Sequence, residues 1–426
     1  MRGAMLGFAT LSLARFAAFA KNQPDFIEPE RTPYTGSDEG LLEEIERAAF
    51  EFFWNEASSL TGQVKDRALL DGNDKRVDSS IASTGFGLTA MCIGNARRYR
   101  TKREITERVR LTLRYLWEKL PHEHGFFYHF VDMNTGFRMW GCEVSSIDTS
   151  ILLCGVLCAR QHFSDTEIQD LATKIYERVE WPWMLNGGKA FSMGWHPEAG
   201  FLNSRWEHYC ELMMIYLLAM GSPTHPVPVT AWDAFTRPSV TVQGIEYISG
   251  NDPLFTHQYS HAWFDFRNKQ DVYADYFENS VKATQAHKLF CLSLREQFPD
   301  YSEHLWGITA SDSRSGYRAW GSPTNLRRLD GTVVPCAAGG SLPFVYGDCI
   351  DVLRTIREQY SQTWGRYGFV DAFNPLIKWY DPYVLGIDVG ITMLMAENYR
   401  SGFVWETFMK NKEAQRGMKR AGFVRS

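Results

Sequence analysis

Glu211 stands in a run that leaves a carboxylate little excuse. Beyond an opening turn that carries Ser204 and Glu207, the residues to Met220 are almost all apolar, and Gly221 and Pro223 follow as stop signals. The spacing predicts a helix over 204–220, opened by Ser204 and Glu207 as a capping box. A helix apolar on nearly every face is buried among others, and burial disfavours the charged form of a carboxyl group. Glu211 is therefore a candidate proton donor near neutral pH. The competing reading pairs it with an arginine such as Arg205 as a structural carboxylate.

A second carboxylate, Asp148, follows Glu143 and Ser145 at the head of another apolar run, Ser145 to Ala159. Its spacing from Ser145 suits a cap. It also suits a carboxylate kept ionised by helix-end N–H groups and aimed into the same cleft as Glu211. A protonated and an ionised carboxyl group are what glycoside hydrolysis needs, roughly 6.5–9.5 Å apart for an inverting reaction. Asp388, in Gly386-Ile387-Asp388-Val389-Gly390, is a third helix-start carboxylate and the alternative base. Around these, His257, Tyr259, His261, Trp263 and Asp265 put polar groups on an aromatic background, as do Asp312, Tyr317 and Trp320, and Tyr380 and Asp381. Such sets suit sugar hydroxyls and ring faces, with a buried polar loop as the alternative. Trp195, Trp263, Trp320 and Tyr380 are the expected stacking platforms, and Glu143, Arg205 and Glu207 complete the expected substrate-binding set.

The elements that must position these residues alternate in character. Amphipathic segments (41–54, 105–120, 165–179) are followed by apolar ones (84–99, 145–159, 204–220), and helical patterns continue over 273–298, 341–360, 386–400 and 405–416. Outer helices stacked on inner ones give this alternation. The expected fold is all-α, an (α/α)6 toroid, which the number of helices fits; a bundle is the competitor, and a solenoid would show a repeat in letters. Four long connections, 123–143, 180–203, 225–270 and 300–342, are rich in Trp, Tyr, Gly, His and Asp; three lead into apolar helices, which gathers aromatic loops at one end.

The 426 residues include 14 Trp, 19 Tyr and 28 Phe, and a net charge of −5 without a long basic run argues against nucleic acid. Eight scattered cysteines form no CxxC pair, and no HExxH occurs, so neither a disulfide framework nor a metal or other cofactor is expected. Residues 1–20 end in Ala18-Phe19-Ala20 and read as a signal peptide, 21–38 as a linker and 39–426 as one domain. No later stretch is apolar enough for a transmembrane span. An exported monomer is expected.

The motifs EVSSIDTS, PWMLNGGKAFSMGWHPEAGF, YLLAMGSPTHP, PLFTHQYSHAWFDF, WGITASDSRSGYRAWG, VPCAAGGSLPF, YGFVDAFNP and GIDVGITMLMAEN resemble the bacterial glucoamylase-like (glycoamylase) domain family, over 39–423. Characterised relatives in glycoside hydrolase family 144 act on β-1,2-glucan. The resemblance implies an (α/α)6 barrel and metal-independent, inverting hydrolysis of β-1,2-glucosidic bonds in an oligo- or polysaccharide. Glu211 matches the family's glutamate before SPTHP, and Asp148 an acidic residue followed by threonine. Where some relatives have Asp-x-x-Glu-Thr-Ala, this chain has Ser145-x-x-Asp148-Thr149-Ser150, which removes one carboxylate and shortens another.

Overall fold

The computed structural model describes residues 34–326 and 328–426; the expected signal peptide and most of the linker lie outside them. Helices carry the architecture: α1 (Asp38–Asn55), α2 (Ile81–Ala96), α3 (Lys102–Glu118), α4 (Ser146–His162), α5 (Thr166–Glu177), α6 (Trp181–Leu185), α7 (Met213–Gly221), α8 (Tyr259–Trp263), α9 (Tyr276–Ser293), α10 (Pro335–Gly339), α11 (Tyr346–Gln359), α12 (Gly386–Ser401), α13 (Phe403–Phe408) and α14 (Lys412–Arg420). Asp38, placed in the linker by the sequence, is already the first residue of α1, because Ser37 caps it by accepting from Gly40 N.

The expected division into inner and outer helices is present. In α2, α4 and α7 nearly every residue is buried, whereas α1, α3 and α5 bury one stripe. α2 packs on α4 and α12, α4 on α7, and α12 on α8 and α10. Gln258 Nε2, one residue before α8, donates to Ala337 O of α10 at 3.0 Å. The outer α1 covers α2 and α12, α3 packs on α5, and α14 covers α7. The α2–α4 crossing is so close that a Cβ on Gly155 would come within 2.0 Å of Gly85 O. Both positions need glycine.

Short β-pairings fix where the inner helices begin. The strand Val144–Ser145, paired with Gly194–His196, runs straight into α4. Tyr383–Leu385, paired with Arg67–Leu69, runs into α12, and Asp78–Ser80, paired with Phe130–Asp132, into α2. Each pairing locks the residue before the first helical turn and so fixes the backbone from which the side chains of that turn project.

The 204–220 helix is corrected. It begins at Met213, and 204–212 is extended or turned. Trp206 N bonds Phe191 O, Thr236 N bonds Glu207 O, and Tyr209 N bonds Thr236 O. Trp206 also sends its indole N–H to Ser146 Oγ at 2.8 Å. These tertiary partners replace the local helical bonds, so no capping box forms and Glu207 is exposed. The terminal helix splits into α13 and α14, and the short α8 and α10 lie inside two connections the sequence reads as loops. All eight cysteines are free thiols. Among the described residues no helix is long and apolar enough to cross a membrane.

Candidate active site

Glu211 sits two residues before α7 and is 7 % exposed. Its main-chain oxygen accepts from Ser260 Oγ at 2.7 Å, and Met214 N donates to the same hydroxyl at 3.1 Å, which ties the start of α7 to α8. Burial pushes its carboxyl up to about 7; its own backbone N–H and the Cys210 thiol oppose this, while the charges of Asp252 and Asp148 add to it. Asp252 is itself raised to about 6 by burial. Among the described residues, no arginine is one of the largest influences on Glu211. Arg205, the expected partner, instead donates to Leu185 O at 3.0 Å and Ala190 O at 2.7 Å.

Asp148 lies in the first turn of α4. Ser145 Oγ donates to its carboxylate at 2.5 Å and accepts from its N–H at 3.2 Å. His129 Nε2 is 3.5 Å from Asp148 Oδ2, while His129 Nδ1 is 3.0 Å from Glu143 Oε1. Burial alone would depress His129, but Asp148 and Glu143 outweigh it and raise the imidazole to about 9. Glu143 goes the other way: burial opposes its charge, the His129 bond and charge overcome that, and the carboxyl falls to about 2. Asp148 is raised by burial, with His129 pulling it back. An imidazolium thus stands between two carboxylates.

The third group centres on Arg67. Its Nε bonds Asp66 Oδ2 at 2.9 Å and its Nη1 bonds Asp312 Oδ2 at 2.5 Å. Asp312 N donates to Asp371 Oδ2 at 2.6 Å, and oxygens of Asp312, Asp371 and Asp381 lie within 4.8 Å of one another. Asp388, in the first turn of α12, is pushed up to about 6 by burial, against hydrogen bonds from Asp371 and Cys336. Asp371 is driven well above the usual carboxylate range by burial and by Asp388, so it holds the proton of that pair. Asp381 is raised by burial and by Asp312. Burial raises the Tyr259 phenol and the nearby Asp388 carboxylate adds to it; Asp388 also acts on Tyr317, which is exposed. The three sets are linked: Asp66 acts on His129 and Asp148, and Glu211 on Tyr259.

The structure therefore brings together Glu143, Asp148, Glu211, Tyr259, Asp312, Tyr317, Asp381 and Asp388. Other expected site residues it places elsewhere. Trp263 has no exposed surface, and its indole N–H bonds Thr89 Oγ1 of α2 at 3.0 Å. His261 Nε2 meets Ser280 Oγ at 3.0 Å, His257 Nδ1 meets Tyr209 Oη at 3.3 Å, and burial lowers both rings to about 3. These three are interior residues, because the segment forms α8 and passes through the inner layer instead of looping over it. Asp265, past the end of α8, pairs with Arg267 at 2.9 Å. Trp320 is buried with its N–H on Ser311 Oγ at 3.1 Å. Trp195 is half-buried and packs on Trp183, and Tyr380 is half-buried with its ring parallel to Phe373. Glu207 reaches solvent.

His129, Asp66, Arg67, Asp252 and Asp371 are the members of the site that motif spacing passed over. Asp252 immediately precedes PLFTHQYSHAWFDF and Asp371 lies within YGFVDAFNP, stretches already notable for their composition. Nothing local marks His129 or Arg67.

The glycoamylase family model, described as a putative glucoamylase, matches residues 203–412. A curated relative, the exo-β-1,2-glucooligosaccharide sophorohydrolase (non-reducing end) of Parabacteroides distasonis, is 28 % identical over 429 aligned positions covering 91 % of this chain. This chain spans 58 % of that protein's length. The endo-β-1,2-glucanase of Chitinophaga pinensis, solved with sophorotriose and glucose, superposes with a TM-score of 0.86 at 28 % identity, over 92 % of this chain and 99 % of that one. A β-1,2-glucanase from P. distasonis gives 0.85 at 26 % identity, over 91 % and 60 %.

Proposed function

We propose that the protein is a glycoside hydrolase that cleaves β-1,2-linked glucan, endo-wise or with release of a disaccharide, by an inverting acid/base mechanism. One observation carries the reading: a buried carboxyl group at about 7, Glu211, shares a site with a carboxylate, Asp148, held beside an imidazolium. The activities named for the relatives from P. distasonis and C. pinensis supply the substrate class. The inner helices close into an (α/α)6 toroid within a single domain over 39–426, and Ala18-Phe19-Ala20 supports export.

In this mechanism Glu211 gives its proton to the glycosidic oxygen as the bond to C1 breaks. Asp148 takes a proton from the water whose oxygen bonds C1 from the opposite face. Asp388 is the alternative base. The surplus carboxylates around Arg67 stabilise the positive charge that develops at the ring. Glu143, Tyr259, Asp312, Tyr317 and Asp381 hold sugar hydroxyls.

A reducing-sugar assay over a panel of α- and β-glucans, with and without phosphate, tests it. New reducing ends from β-1,2-glucan in water alone are expected. Cleavage of none of the panel, or only with phosphate, contradicts it.

A further inference from the structure

With Trp263 and Trp320 buried, the aromatic wall of the cleft needs another residue, and the 123–143 connection offers one. Trp140 is 55 % exposed, and its backbone is left-handed (φ 53°), followed by Gly141 at φ 63°. A bulky side chain rarely adopts that conformation, and where it persists the surroundings hold it. Here Arg138 does so. Its guanidinium donates to Gly141 O at 2.6 Å and Cys142 O at 2.5 Å, meets Glu198 Oε1 at 2.6 Å and His196 Nδ1 at 3.1 Å, and lies over the Tyr128 ring.

The turn aims inward along a stack. Trp140 packs on Phe130 with centroids 5.1 Å apart, Phe130 stacks on His129 at 3.9 Å, and His129 contacts Asp148. A large exposed ring is thus fixed outward of the candidate base through only two intervening rings.

On the reading of this cleft as a β-glucan site, we infer that Trp140 is a sugar-stacking platform remote from the bond that is cut, and that Arg138 is its positioning residue. In β-linked glucosyl units the ring hydroxyls are equatorial, so each face presents C–H groups that suit an indole. Such a platform grips only chains long enough to reach it, and so governs affinity for long substrates and the length of the products.

The test measures kcat and KM for β-1,2-glucooligosaccharides of increasing length with wild type, Trp140→Ala, Trp140→Phe and Arg138→Met, the fold being checked by circular dichroism. Trp140→Ala is expected to raise KM by about 3- to 10-fold for long chains, to leave the shortest cleavable chain and every kcat unchanged, and to be rescued in part by Trp140→Phe. Arg138→Met should weaken long-chain KM in the same sense. A KM independent of Trp140 at every length, or a fall in kcat at every length, overturns the proposal. Native electrophoresis through gels containing each glucan separates this result from the assignment of activity. Retardation that depends on Trp140 without turnover sinks the hydrolase reading alone; a wild type retarded by no glucan sinks the platform.

Discussion

His129 Nε2 lies 3.5 Å from the Asp148 carboxylate and its Nδ1 3.0 Å from Glu143, so one ring orients the candidate base and answers for its charge. The base must be ionised to accept a proton from water, and the acidic limb of the pH–rate profile reports its pKa. Removing the imidazolium removes the influence that lowers Asp148. His129→Gln is therefore expected to move the acidic limb of kcat/KM to higher pH, and an unmoved limb would detach Asp148 from that ionisation.

The same bridge bears on stability. His129 is raised from 6.5 to about 9, so its contribution is complete below about 6.5 and is lost as pH rises through about 9. Glu143 is lowered from 4.5 to about 2, so its contribution is complete above about 4.5 and is lost as pH falls through about 2. Thermal melts of wild type should decline from pH 6.5 to 9 more steeply than those of His129→Gln. Parallel curves would show that the bridge does not form.

Arg67 is the guanidinium of a cluster rich in carboxyl groups, and its side chain and that of Asp312 are 16 % and 13 % exposed. Truncating one partner of such a pair leaves buried charge uncompensated, at about 3–5 kcal/mol. Arg67→Gln should lower the denaturation midpoint accordingly and by more at pH 8 than at pH 5, where Asp388 holds a proton. A stability within about 0.5 kcal/mol of wild type would mean that the cluster does not depend on this guanidinium.

Because this guanidinium supplies the positive charge among Asp312, Asp371 and Asp381, chelation is expected to leave turnover unchanged. Loss in EDTA that one added cation restores would show a metal ion there instead.

The sequence made the helical alternation legible because inner and outer helices differ in how much of their circumference is apolar. It also singled out Glu211, Asp148 and Asp388, since a carboxylate at the head of an apolar run stands out whatever the fold. It misplaced Trp263, His257 and His261. One polar atom of each is met inside the protein, by Thr89, Tyr209 and Ser280 respectively, and composition cannot distinguish such an interior group from one awaiting a ligand. Arg67 and Asp312 are 245 positions apart, and no local pattern records such a pair. The helix over 204–212 fails for a related reason: its capping spacing is present, but its backbone is held by Phe191 and Thr236.

Glu211 bears the central claim. A general acid must carry its proton, so with a carboxyl at about 7 the rate on glucan should fall as pH rises above about 7. The most direct measurement compares Glu211→Gln and Asp148→Asn on β-1,2-glucan and on a β-glucosyl donor whose leaving group needs no proton, such as a glycosyl fluoride or activated aryl glycoside. Both variants should lose on the order of 10²–10⁴-fold in kcat on glucan with binding retained, and Glu211→Gln alone should recover most of its loss on the activated donor. Wild-type rates on glucan in Glu211→Gln, or no recovery on the activated donor, would contradict the account.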